Sequence, residues 1–285
     1  MRNPLQSEKN KGILFILMAA FFFSLMTLFV RLSGDLPTMQ KALFRNLVAA
    51  IASWVLLLRS REKITIAKKD WPDLFVRAIC GTLGLICNFY AIDRLNLSDA
   101  NMLNKLSPFF AILVSIFLLK EKASAVDWCA VIMAFIGALL VMKPGFSMDA
   151  FPAFMGLLGG MGAGIAYAFV RRLGKRGVRG SIIVMFFSTF STIICLPFFI
   201  AGYEPMTLKQ LIILTCAGLA ATGGQLSITA AYTHAPAREI SIYDYSQILF
   251  AAIWGFLIFG QVPDILSVIG YVVIIGAAVF RFVKG

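Results

Sequence analysis

Two short stretches carry the residues whose types and spacing suit chemistry. Asn101, Asn104, Lys105 and Pro108 fall at three- and four-residue spacing, which on a helix stacks two amides and an ammonium on adjacent turns. Tyr243, Asp244, Tyr245 and Gln247 form the second: a carboxylate flanked by rings and followed by an amide. Lys105 suits a cation that holds a substrate carboxylate, or a lysine that snorkels outward. Rings beside Asp244 suit an ammonium or sulfonium, each ring face adding about 0.5–2 kcal/mol. Asp244 is equally a proton-coupling candidate, because desolvation penalises its charged form and neutralising it would tie proton movement to transport. A third reading pairs Lys105 with Asp244. A rise of about 1.5 Å per helical residue sets the two roughly 10 Å apart along the helix axes, so direct pairing would need tilting or a bridging substrate.

Other polar residues are scattered among apolar neighbours. Tyr90, Tyr167 and Gln225 have groups that can orient a ligand, although such residues most often tie helices together through hydrogen bonds worth about 0.6 kcal/mol each. Arg45 can attract an anion or hold neighbouring carbonyls. A metal site is not expected: there is one histidine, His234, and Cys80, Cys87, Cys129, Cys195 and Cys216 all lie inside apolar runs without ligand spacing. No P-loop and no base placed to activate a serine is found, so neither a cofactor nor a catalytic residue is expected.

The elements that carry these residues follow from composition. Of 285 residues, 60% are hydrophobic and 14% charged, and the mean hydropathy is +0.86. Such a chain folded in water would expose far too much apolar surface, so lipid is its solvent. Runs of about twenty apolar residues place ten helices near 12–31, 39–58, 72–93, 98–119, 124–142, 152–172, 180–202, 208–232, 237–260 and 263–283. Pro72, Pro152 and Pro263 suit helix starts, whereas Pro108 and Pro197 are interior and predict kinks. The first run is too long for a signal-peptide core, so a retained span is expected. Most of the 26 Lys and Arg, among them Arg59, Lys68, Lys69, Arg171, Arg172, Arg176 and Arg179, flank alternate connectors on one side, as does Arg281 at the end of the last run. That bias predicts both termini in the cytoplasm. It also explains the net charge of +12 without nucleic acid. Gly156, Gly160 and Gly164 share one helix face that admits a close neighbour.

An offset of 140 residues lays Val30-Arg31 on Val170-Arg171, Ala91 on Ala231 and Phe110-Ala111 on Phe250-Ala251. The expected fold is therefore an all-α membrane protein of ten transmembrane helices in two five-helix repeats, residues 1–147 and 148–285. An odd repeat inserts its second copy upside down, so the halves should be inverted and the site should lie near the midplane.

Phe89-Tyr90-Ala91-Ile92, Ser98-Asp99-Ala100, Leu106-Ser107-Pro108-Phe109-Phe110, Lys120-Glu121-Lys122 and Gly137 to Pro144 together resemble the EamA-type domain of the drug/metabolite transporter superfamily. Phe44-Arg45 looks like the arginine common near this place in such domains, which favours a structural role for it. The second copy departs from the pattern, with Gln247-Ile248 at Ser107-Pro108 and Gln261 at Glu121. The resemblance implies ten helices around a central cavity lined by helices 1, 3, 4, 6, 8 and 9, and solute transport. It names no substrate.

The expected function is a secondary transporter, carrier or exporter, of a small polar metabolite. Lys105, Asp244, the tyrosines and the amides suit an amino acid, a derivative of one or an amine. The alternatives are an intramembrane enzyme or a channel-like facilitator. The expected partners are that small molecule, the lipid of a plasma membrane and, as coupling ion, the proton; the assembly is a monomer or homodimer, with no nucleic acid.

Overall fold

The computed structural model describes residues 4–60, 66–118, 124–142, 150–234 and 241–284. The chain runs as α1 (Pro4–Leu32), α2 (Thr38–Arg59), α3 (Trp71–Arg94), α4 (Leu97–Asn104), α5 (Ser107–Leu118), α6 (Ala125–Met142), α7 (Ala150–Lys175), α8 (Gly180–Ala201), α9 (Leu208–His234), α10 (Ser246–Phe259) and α11 (Ile265–Lys284). A 3-10 turn over Ser241–Tyr245 leads into α10. Among the described residues seven helices are long and apolar enough to cross a membrane: α1, α2, α3, α7, α8, α9 and α11. The apolar helices α6 and α10 are shorter. Lys120-Glu121-Lys122 and Pro144 lie outside the described residues, as does the side chain of His234.

The faces of α2 show why lipid is required. Gln40, Lys41, Arg45, Asn46 and Ser53 point inward, while Ile51 and Leu58 are 57% and 69% exposed. This helix is polar inside and apolar outside, the reverse of a surface helix in water.

Two expectations about helix shape need correction. The 98–119 run is not one kinked helix: α4 stops at Asn104 and α5 starts at Ser107, with Lys105 and Leu106 between them. Pro108 is thus a first-turn proline, where the missing N–H is no loss, rather than an interior one. Pro197 does sit inside α8. Pro263 precedes α11, which begins at Ile265, and Gly260, left-handed at φ 63°, ends α10.

Packing runs in antiparallel pairs: α1 along α9, α3 along α7, α2 along α8 and α6 along α11, with α5 on α7, α10 on α1, and α4 on both α7 and α10. The glycine face of α7 lies on the α4–α5 break. A Cβ on Gly160 would stand 2.5 Å from the Leu103 carbonyl oxygen, and one on Gly164 2.5 Å from that of Ser107. Glycine therefore sets how closely α7 approaches the interrupted backbone, since any side chain there would push α4 away.

Gly160→Ala should lower the thermal midpoint of detergent-purified protein by the equivalent of about 1–3 kcal/mol. Gly174→Ala, where a Cβ meets nothing within 4 Å, should leave it unchanged; equal midpoints for the two variants would contradict this packing.

Candidate functional site

The interruption between α4 and α5 frees backbone groups that lipid cannot satisfy. Lys105 donates its N–H to Asn101, but its carbonyl has left the helical ladder and is met by the hydroxyl of Tyr245, which donates to it at 3.2 Å. Tyr245 stands 140 residues after Lys105, the sequence offset already noted, and is itself the last residue of the 3-10 turn before α10. The break between α4 and α5 therefore meets the 3-10 turn that opens α10.

At that meeting point Lys105 Nζ donates to Asp244 Oδ2 at 2.6 Å, with side chains only 6% and 9% exposed. The 10 Å separation expected from continuous helices does not occur. The reason is the local backbone: Lys105 is a non-helical cap at φ −74°, ψ 6°, and Asp244 sits in the 3-10 turn, where the rise per residue is longer than in an α-helix. One carboxylate oxygen, Asp244 Oδ1, is buried without a hydrogen-bond donor.

Amides brace the pair. Gln247 Nε2 donates to Asn101 Oδ1 at 2.6 Å, and Asn101 Nδ2 donates to the Leu97 carbonyl at 2.7 Å and to Thr27 Oγ1 at 3.3 Å. This chain joins α10, α4 and α1. Trp254 on α10 adds a second link to α1, donating to Ser24 Oγ at 3.2 Å. Tyr167 on α7 is within electrostatic reach of Asp244, Arg45 and Arg77. Asn104 is half-buried at the end of α4, with its carbonyl facing Gly160.

Three expected site residues stand apart. Tyr243 is 37% exposed, so the pair of rings around Asp244 does not form: of the two tyrosines only Tyr245 points inward, and its hydroxyl is engaged with backbone. Tyr90 lies near the far end of α3, under the Arg94 guanidinium at 3.7 Å and edge-on to Phe151. Gln225 is buried on α9, and none of the hydrogen bonds among the described residues joins it to Lys105 or Asp244.

The sequence reading passed over several buried polar residues. Lys41 on α2 is 1% exposed and bonded to Asp93 at 2.6 Å. Arg77 on α3 is 3% exposed and lies over the Phe187 ring at 4.0 Å; Arg45 lies over the same ring at 5.6 Å. Arg77 stands four residues after Asp73 in the 72–93 run, a spacing that suits an ion pair on a helix, but Asp73 pairs with Arg172 and Arg176 instead.

Ties between distant parts of the chain close both ends of the bundle. Where α1 ends, Gln40 exchanges two hydrogen bonds with the Glu204 backbone, Gln261 accepts from the Leu97 N–H at 3.0 Å, and the Tyr271 hydroxyl donates to Asp99. At the opposite end Arg176 bridges Asp70 and Asp73 at 3.1 and 2.8 Å, and Arg281 meets Asp127 at 2.8 Å. The Lys105–Asp244 pair is sealed between them.

The EamA-like transporter family model matches residues 10–143 and again 151–283. The chain belongs to the EamA-like transporter family. It is 32% identical over 274 residues to the pseudopaline exporter CntI of Pseudomonas aeruginosa, covering 95% of each chain. It is 25% identical over 298 residues to solute carrier family 35 member G1 of Mus musculus, covering 96% of this chain and 80% of that one. A solved protein crystal structure, 14% identical, superposes with a TM-score of 0.67 over 95% of this chain and 96% of its own, and so shares the fold. By family this is a multi-pass membrane transporter of the drug/metabolite type, and its named relatives are transporters, not enzymes.

Tyr245→Phe removes only the donor to the Lys105 carbonyl and should lower the thermal midpoint by the equivalent of about 1 kcal/mol. Tyr243→Phe should leave it unmoved. If the two variants unfold together with wild type, the break is not held in this way.

Proposed function

We propose that this EamA-like transporter is a secondary carrier for a small polar metabolite, an amino acid or an amino-acid derivative, working by alternating access between two inverted halves, residues 1–147 and 148–285. The observation that carries the reading is the buried Lys105–Asp244 pair, where the break between α4 and α5 meets the 3-10 turn that opens α10. Broken helices meeting near a bilayer midplane are where such carriers hold their cargo. Charges in that position are costly, about 2.5–3.5 kcal/mol each on insertion scales, and are functional by default.

Support for inversion comes from the packing pairs. Exchanging the halves turns α1 on α9 into α7 on α3, turns α10 on α1 into α5 on α7, and returns α2 on α8 and α6 on α11 to themselves. In this reading Lys105, Asp244 and Gln247 with Asn101 contact cargo directly. Asn104 and Tyr167 border the same space, while Tyr90, Gln225 and Tyr243 join it only in a state open to one side. Asp244 Oδ1, free of any donor, accepts the cargo's amine or a coupling proton. Binding loosens the Lys105–Asp244 pair, and its re-formation after release resets the carrier. The relative named as a pseudopaline exporter favours outward movement. In the same reading the carrier sits in a plasma membrane with both termini in the cytoplasm, an orientation supported by the bias of Lys and Arg to one side.

A thermal-unfolding screen against amino acids, amines, nucleosides and S-adenosylmethionine identifies the cargo class, since a ligand that binds only the folded chain raises its midpoint. Counterflow of that compound in proteoliposomes then tests the site. Asp244→Asn alone strands Lys105 and should cost about 3–5 kcal/mol of stability. The double variant Lys105→Met, Asp244→Asn should recover most of that stability yet carry no saturable counterflow. A double variant that transports with wild-type rate and pH dependence would sink the proposal.

A further inference from the structure

Arg45 and Arg77 are not accounted for by the Lys105–Asp244 pair. Each is all but fully buried, at 2% and 3% exposure, and no Asp or Glu among the described residues forms an ion pair with either. They are close enough to repel one another. Both lie over one face-bearing neighbour, the Phe187 ring. A ring attracts cations but offers no hydrogen-bond acceptor in the plane of the guanidinium. Arg45 donates to Asn46 Oδ1 at 2.5 Å, yet Arg45 Nε, Arg77 Nε and Asn46 Nδ2 are all buried without an acceptor. The expected structural role, holding carbonyls or a neighbouring helix, is met by the contact with the Phe187 ring on α8, which leaves these donors without acceptors.

Three orphaned donors and two like charges in one low-dielectric place lack the same thing, an anion with planar paired oxygens. A guanidinium fork matches a carboxylate in both charge and geometry. Lys105 and Asp244 satisfy each other, so that pair does not offset the charges of Arg45 and Arg77. Across the site, Asp244 Oδ1 is an acceptor without a donor, and Tyr167 lies within electrostatic reach of both ends.

We propose that Arg45 and Arg77, with Asn46 and against Phe187, form a carboxylate-binding subsite, so that the cargo is an amino acid derivative with more carboxylates than amines. This rests on the carrier reading and narrows it: the amine faces Asp244 and the carboxylates face α2 and α3. A simple cationic amine does not fit. Between loading events the two guanidiniums repel each other, which favours the state that admits an anion.

The probe is iminodiacetate, one amine and two carboxylates, titrated against purified full-length protein by thermal unfolding. Diethanolamine, with the same skeleton and hydroxymethyl groups in place of the carboxylates, is the control. Iminodiacetate should raise the midpoint saturably and diethanolamine should not. Arg45→Gln and Arg77→Gln should each weaken the response about ten- to a hundredfold while matching or exceeding the wild-type midpoint without ligand, because each removes one of two repelling charges. If the glutamine variants do not fold, Arg45→Lys and Arg77→Lys decide, since they keep the charge and lose the fork: a weakened response supports the subsite and an unchanged one overturns it. No response of wild type to iminodiacetate, or a response indifferent to both arginines, also overturns it. Proteoliposome counterflow separates this claim from the carrier reading. Arginine-dependent binding without any counterflow removes the carrier and leaves the subsite, whereas saturable counterflow with arginine-independent binding does the reverse.

Discussion

Inside a membrane a backbone carbonyl or a charge left without a partner is costly, and at Lys105 both demands fall on one residue. Its carbonyl is released by the gap between α4 and α5, and its ammonium projects into a place with almost no water. Tyr245 meets the first demand and Asp244 the second, and both come from the turn that opens α10. The interruption between α4 and α5 is thus made tolerable by the 3-10 turn that opens α10. Neither would be stable against an unbroken apolar helix, because the carbonyl and the charge would then face only hydrocarbon.

The surrounding elements follow from holding these two turns together. The glycine face of α7 brings its backbone against Leu103, Asn104 and Ser107, a closeness that any Cβ would prevent. On the other side α1 supplies Thr27 and Ser24, small hydroxyl residues that anchor Asn101 and Trp254. α6 and α11 cross at Gly137 and Gly270 and contribute through Tyr271, whose hydroxyl holds Asp99 at the start of α4. The outward faces of the bundle carry exposed Leu, Ile and Phe. The hydrophobic effect therefore fixes which way the helices face, while a few hydrogen bonds and small residues fix where the breaks meet.

Residue type was a better guide in this chain than distance. Lys105 and Asp244 were legible because charges are rare in apolar runs, and the helix positions were legible because lipid thickness demands about twenty apolar residues. Their contact was not, since the 10 Å estimate treated both segments as continuous helices and Pro108 as an interior proline. A proline that opens a helix and one that kinks it look alike until the preceding residues are known to leave the ladder. Tyr243 and Tyr245 could not be told apart either: successive residues of a 3-10 turn point in different directions, and one went to the exterior. The partners of Arg77 and Lys41 were not legible, because they come from other helices, Phe187 and Asp93, far away in sequence.

The most direct test of the account is charge reversal at the junction. Lys105→Asp and Asp244→Lys each put two like charges in a buried contact where the native pair stands 2.6 Å apart, and each alone should abolish monodisperse, thermally cooperative protein. Combined in one chain they restore opposite charges at the same place and should recover a folded protein with a clear unfolding midpoint. A double reversal no better folded than the worse single variant would mean that the two helices are held together by something other than this pair.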